Sequence, residues 1–136
     1  MTQIFTAFDL ISLMTTNKKD NPVLDKSFEL AKMVYRFSKK LHSEGDIQIS
    51  DQVLRCGTSV GANIHEAQNA QSKADFIHRL KIAAKENSEF SFWILLMESL
   101  HSTNEHRELI QLSNEISRLL SRIISSTKSK LKEKDE

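Results

Sequence analysis

Apolar residues recur at helical intervals along most of the chain, in four successive amphipathic stretches. The first opens at Asn21-Pro22, where asparagine suits a helix cap and proline suits the first helical position, whose N–H has no partner anyway. Leu24, Phe28, Ala31 and Tyr35 then form one row, and Leu30, Val34, Phe37 and Leu41 the next. Together they predict a helix with a broad buried face from about Pro22 to Glu44, stopped by Gly45. Ser50 precedes a second run, in which Val53, Gly57, Val60, Ile64 and Ala67 recur at intervals of four and three. At about 100° per residue all five share one helix face. After a short connection over 68–71, Ser72 with Asp75 in the first turn predicts a third helix from Lys73 to about Leu100. Its seam is Phe76, Leu80, Ala83, Asn87, Phe90, Ile94 and Met97. Leu109, Leu112, Ile116, Leu119 or Leu120, and Ile123 define a fourth helix from about Glu105 to Ser126. Short connections favour antiparallel neighbours, so the expected fold is all-α, an up-down-up-down four-helix bundle over 21–127. Residues 1–20 form an apolar N-terminal extension, expected to be a docking segment or short helix and in part disordered. Residues 128–136 are expected to be a charged, frayed tail.

The second half of the third helix breaks the amphipathic pattern. In "FSFWILLMESL", residues 90–100, apolar side chains point in every direction. Phe92, Trp93 and Leu96 lie away from the side that carries Ile94. A four-helix monomer cannot cover a helix on all sides, so these three residues are the expected contacts of a homo-oligomer.

The second helix poses a different question in "GTSVGANIHEA", residues 57–67. A phosphate-binding loop would need its glycines one residue further apart, a lysine where Ala62 stands and a preceding strand. Inside a helix each glycine costs about 0.8–1 kcal/mol relative to alanine, so Gly57 and Gly61 should be offset by the close approach of a neighbouring helix. Asn63 and Glu66, on the adjacent polar row, are expected to form a register-fixing network with Lys85, Glu86 and Glu89 of the third helix.

Composition narrows the candidate chemistry further. Nineteen Lys and Arg against eighteen Asp and Glu leave a net charge of +1, so attraction to nucleic acid must come from a local patch. Lys32, Arg36, Lys39 and Lys40 share an outer face of the first helix, and Lys81 and Lys85 one of the third; these are the candidate phosphate contacts. Glu98 and His101 give one Glu-x-x-His pair, while Asp75 and His78 only approximate a second, so the ligand set of a bundle metalloenzyme is incomplete. No metal, cofactor, catalytic residue or small-molecule substrate is expected. Cys56, the only cysteine, flanks the core seam and reads as a small buried hydrophobe in a protein of a reducing compartment, with the cytoplasm as the expected location. The apolar start of the chain is interrupted by Asp9 and lacks a basic segment before it, which argues against a signal peptide; it is also too short to span a bilayer.

The segments "SVGANIHEA" (59–67) and "DFIHRLKIAAKENSEFSFWILLM" (75–97) carry a family resemblance. In them Ala62, Asn63, Ile64 and Glu66 are followed by Phe76, Ile82, Ala83, Lys85, Glu86, Glu89 and Trp93. In this order they resemble the bacterial four-helix bundle proteins first noted as open reading frames within intervening sequences of large-subunit ribosomal RNA genes. The likeness spans roughly residues 22–126. It implies an antiparallel bundle that assembles into a homopentamer, without enzymatic activity. A related branch, the accessory variability determinant of diversity-generating retroelements, is a basic pentamer that works with a reverse transcriptase and its RNA. The near-neutral charge here departs from that branch. Two expectations follow: a non-enzymatic oligomeric scaffold or accessory protein, serving RNA or a nucleic-acid enzyme; or a protein that itself binds RNA or DNA through basic patches repeated around a ring.

Overall fold

Local chemistry at the helix ends sets the architecture. The computed structural model describes residues 20–135, so the apolar extension foreseen over 1–20 lies almost wholly outside the described residues. Helix α1, Pro22–Ser43, starts as its sequence dictates: Pro22 opens the first turn and the Asn21 side chain accepts the Leu24 N–H at 3.3 Å. It stops at Gly45, which adopts φ +93° and lets the Asp46 N–H return to the Leu41 carbonyl at 2.9 Å. Because this one residue reverses the chain, helix α2, Ile47–Ala67, begins earlier than the sequence suggested. Ser50, read as the residue before the helix, is instead inside it and buried, donating to the Ser38 carbonyl of α1 at 2.6 Å.

Helix α3, Lys73–Leu100, is capped as expected by Ser72, whose hydroxyl accepts the Asp75 N–H at 3.0 Å. Helix α4, Asn104–Asp135, runs well past Ser126. The stretch expected to fray contains neither glycine nor proline, and its lysines sit at the carbonyl end of the helix, where positive charge is favourable.

Helices adjacent in sequence pack against each other, and α1 closes the circle against α4; the diagonal pairs stand further apart and meet only through core side chains. Ion pairs show the alternating directions. Lys26 of α1 meets Glu115 of α4 at 2.9 Å and Lys40 meets Glu105 at 3.3 Å, so residue numbers rise on one helix as they fall on the other. The fold is thus an antiparallel all-α four-helix bundle.

Its core is built from Leu30, Val34 and Phe37 of α1, Val53, Val60 and Ile64 of α2, Leu80, Phe90 and Ile94 of α3, and Leu109, Ile116 and Leu120 of α4. Phe76 packs against the core at the start of α3, as the spacing predicts, and Ile77 beside it is buried as well. One row of the sequence reading differs. On α1, Phe28 and Tyr35 lie outside, while Ser27 and Ser38 hold inner positions. Each of those serines satisfies its hydroxyl on its own helix, with the carbonyls of Leu24 and Tyr35. They fit where α2 comes too close for a larger side chain, and so the aromatic row turns outward.

Candidate functional site

The glycine pair lies at a close contact between α1 and α2. A β-carbon on Gly57 would stand 2.7 and 2.8 Å from the two γ-methyls of Val34 and 3.2 Å from the Phe90 ring. One on Gly61 would stand 3.3 Å from the Ser27 carbonyl oxygen, which is backbone and cannot swing aside. Both positions are interior to a helix, with nothing of a ligand-cradling loop about them.

The polar residues beside them are organised by two arginines that the sequence reading did not name. Arg55 of α2 reaches across to Glu86, at 3.1 Å, and to Glu89 of α3. Its guanidinium holds the Glu89 carboxyl below the usual carboxylate range. Arg79 of α3 reaches back to Glu66 at 2.7 Å. Asn63 takes no part, since its amide donates to the Ser59 carbonyl one turn earlier at 2.8 Å. These ion pairs are largely solvent-exposed and tie α2 to α3 along their rims.

The buried polar network lies elsewhere, between α3 and α4. Asn87 donates to the Ser113 carbonyl at 2.9 Å and accepts from the Ser113 hydroxyl at 2.9 Å; the hydroxyls of Ser113 and Ser91 are 2.6 Å apart. Sequence periodicity marked Asn87 as a seam residue, and the seam spacing was the only signal of its role. Its partner is 26 residues away on another helix.

On α3, Phe92, Leu95 and Leu100 are 58%, 52% and 61% exposed, while Trp93 and Leu96 are half-buried. Phe92 and Trp93 touch edge to face, with ring centroids 5.3 Å apart. The Trp93 indole N–H is close enough to Glu89, one turn back, to help hold that carboxyl low. It nevertheless makes no hydrogen bond of sound geometry among the described residues and is buried. Leu95, which sequence reasoning did not single out, also lines a shallow groove toward Ile110 and Arg118 of α4.

The six candidate phosphate contacts do not form one patch. Lys32, Arg36, Lys39 and Lys40 are exposed along α1, whereas Lys81 and Lys85 are exposed on α3, diagonally across the bundle. Lys40 pairs with Glu105, and no carboxylate among the described residues is within ion-pair distance of Lys32, Arg36 or Lys39. The Lys32 ammonium lies 5.3 Å from the centre of the Phe28 ring, and the Lys39 ammonium 4.8 Å from that of Tyr35. On the other side, Lys81 approaches Lys128 of α4 and depresses its pKa by like-charge repulsion.

Cys56 is buried, and burial pushes its thiol up to about 12, far from a nucleophile's range. No cluster of three or more His, Cys, Asp or Glu side chains arranged to hold a metal ion occurs among the described residues, and no helix among them is long and apolar enough to cross a membrane.

No functionally curated protein matches this chain. A family model, described as 23S rRNA-intervening sequence protein, matches residues 19–122. Among solved structures, a protein of unknown function from the S23 ribosomal protein family of Bacteroides thetaiotaomicron is similar. It is 42% identical, with a TM-score of 0.72, and the match covers 75% of this chain and 97% of that one. Both the match over most of the bundle and the shared fold lead to one conclusion: the chain belongs to the 23S rRNA-intervening sequence protein family.

Proposed function

We propose that the protein is a non-enzymatic, self-assembling bundle that acts as a scaffold or accessory protein for RNA or a nucleic-acid enzyme. The outer face of α3 carries this reading. Phe92 and Leu95 are exposed side by side next to the half-buried Trp93. A second copy would remove this surface from water, the usual fate of contiguous exposed apolar residues. Native mass spectrometry at micromolar concentration should show a defined homo-oligomer, and a pentamer is the state that the family resemblance implies. A monomer at that concentration would refute self-assembly.

A second reading is direct nucleic-acid binding, favoured by Lys32, Arg36 and Lys39, which pair with no carboxylate among the described residues and share one exposed face of α1. Copies of that face on an oligomer would reinforce each other by multivalency. Binding to RNA or DNA should then be measurable at low salt and fall steeply as salt is added. Absence of binding at low salt would rule it out.

A further inference from the structure

The exposed face of α1 is not a plain basic patch. Phe28, Lys32, Tyr35 and Lys39 follow one another at helical intervals of four, three and four, so ring and cation alternate along a single stripe. Phe28 and Tyr35 are 47% and 50% exposed, although their positions four and three residues from neighbouring apolar side chains would suit a covered row. Two turns of helix separate the rings by about 10 Å. Each ring carries an ammonium beside it, at the distances given above, and Arg36 flanks the stripe. The acidic residues of this helix, Asp25 and Glu29, stand toward its N-terminal end, leaving the stretch from Lys32 to Lys40 positive.

We propose that this stripe binds single-stranded nucleic acid, with bases stacking on Phe28 and Tyr35 and phosphates contacted by Lys32, Arg36 and Lys39. The proposal deepens the nucleic-acid reading and rests on it. Phosphate attraction alone needs only the cations, and an acidic peptide would need no more. Exposed rings interleaved with them add a preference for flat aromatic partners, and every unpaired base offers such a face. In a duplex those faces are stacked inside the helix and closed to side chains, so the rings favour a single strand.

The test uses the full-length protein, a labelled oligouridylate of about twelve nucleotides and a duplex of equal length, followed by fluorescence anisotropy at low salt. Wild-type protein should bind the single strand more tightly than the duplex. Combined Phe28→Ala and Tyr35→Ala should weaken single-strand binding at least about ten-fold with little change in salt dependence. Combined Lys32→Gln and Lys39→Gln should lower the salt slope by about 1.4, or 0.7 for each lost phosphate contact on a single strand. All four side chains are exposed, so helicity and oligomer mass should be unchanged in both variants. Unaltered binding by the ring variant, alongside weaker binding by the lysine variant, would overturn stacking and leave the nucleic-acid reading standing. No binding by wild-type protein would overturn both. Equal binding of the duplex, equal competition by polyglutamate, or a changed oligomer mass in the ring variant would each overturn the proposal, the last by showing the stripe to be a contact between copies.

Discussion

At the scale of single residues, Gly57 and Gly61 set how near α1 and α2 can come. Gly57→Ala gains up to about 1 kcal/mol of helix propensity, but its new methyl would press on the branched Val34 side chain inside a closed core. Overpacking of this kind costs about 1–3 kcal/mol, so a net loss of stability is expected in urea denaturation. Gly61→Leu should lose more, because it meets the Ser27 backbone, and a wild-type midpoint would refute the close approach. His106 gives a second expectation. It is buried against the edge of Phe37, with Thr103 on Nδ1 and no partner for Nε2 among the described residues, and burial lowers its pKa below the ordinary 6.5. The unfolded chain therefore takes up a proton at a pH where the folded chain does not. Stability should hold above about pH 6.5 and decline as pH falls through that value toward the folded one. Comparing urea midpoints at successive pH values should show this decline in wild-type protein and a weaker one in His106→Leu. Glu89 and Glu115, whose pKa values are held low by Arg55 and Lys26, contribute only in a more acidic window.

At the scale of helices, the Asn87–Ser113 pair fixes the register of α3 against α4. Asn87→Leu removes both of its hydrogen bonds to Ser113 in the core, and at about 0.5–1.5 kcal/mol each should cost about 1–3 kcal/mol in thermal or chemical unfolding. The same replacement at exposed Asn114 should stay within about 0.5 kcal/mol. Equal effects at the two positions would show that the buried network adds nothing. The helices themselves were legible from periodicity, because Asn21-Pro22, Gly45 and Ser72 mark ends by chemistry local to the chain. What periodicity could not decide was which of two neighbouring apolar rows another helix would cover. On α1 the answer turned on Ser27 and Ser38, small enough to sit inward and able to bond their own backbone. Nor could it reveal Arg55 and Arg79, since an exposed arginine gains its partner only once two helices are set side by side. The length of α4 was missed for a simpler reason: a charged sequence without glycine or proline has no reason to stop.

At the scale of the whole molecule, the outer face of α3 should decide the assembly state. Phe92→Glu with Leu95→Glu places charge on residues that already face water in the protomer, so helicity should survive in circular dichroism while the oligomer dissociates in native mass spectrometry. An unchanged mass would place the contact elsewhere. Self-association through one face also carries a symmetry condition. A patch that meets its own image closes a dimer about a twofold axis, whereas a five-membered ring needs two different surfaces on each copy. An odd number of subunits would therefore show that α3 meets something other than α3.

The diagonal placement of α1 and α3 bears on how the protein would respond to its own concentration. Because α1 and α3 stand at opposite corners, copies joined through α3 and any face other than α1 leave the ring-and-cation stripe open. Joining copies and engaging a strand would then help each other rather than compete. Strand affinity should be low in dilute protein and climb across the same concentration range in which the complexes gain subunits, giving a titration steeper than a single-site curve.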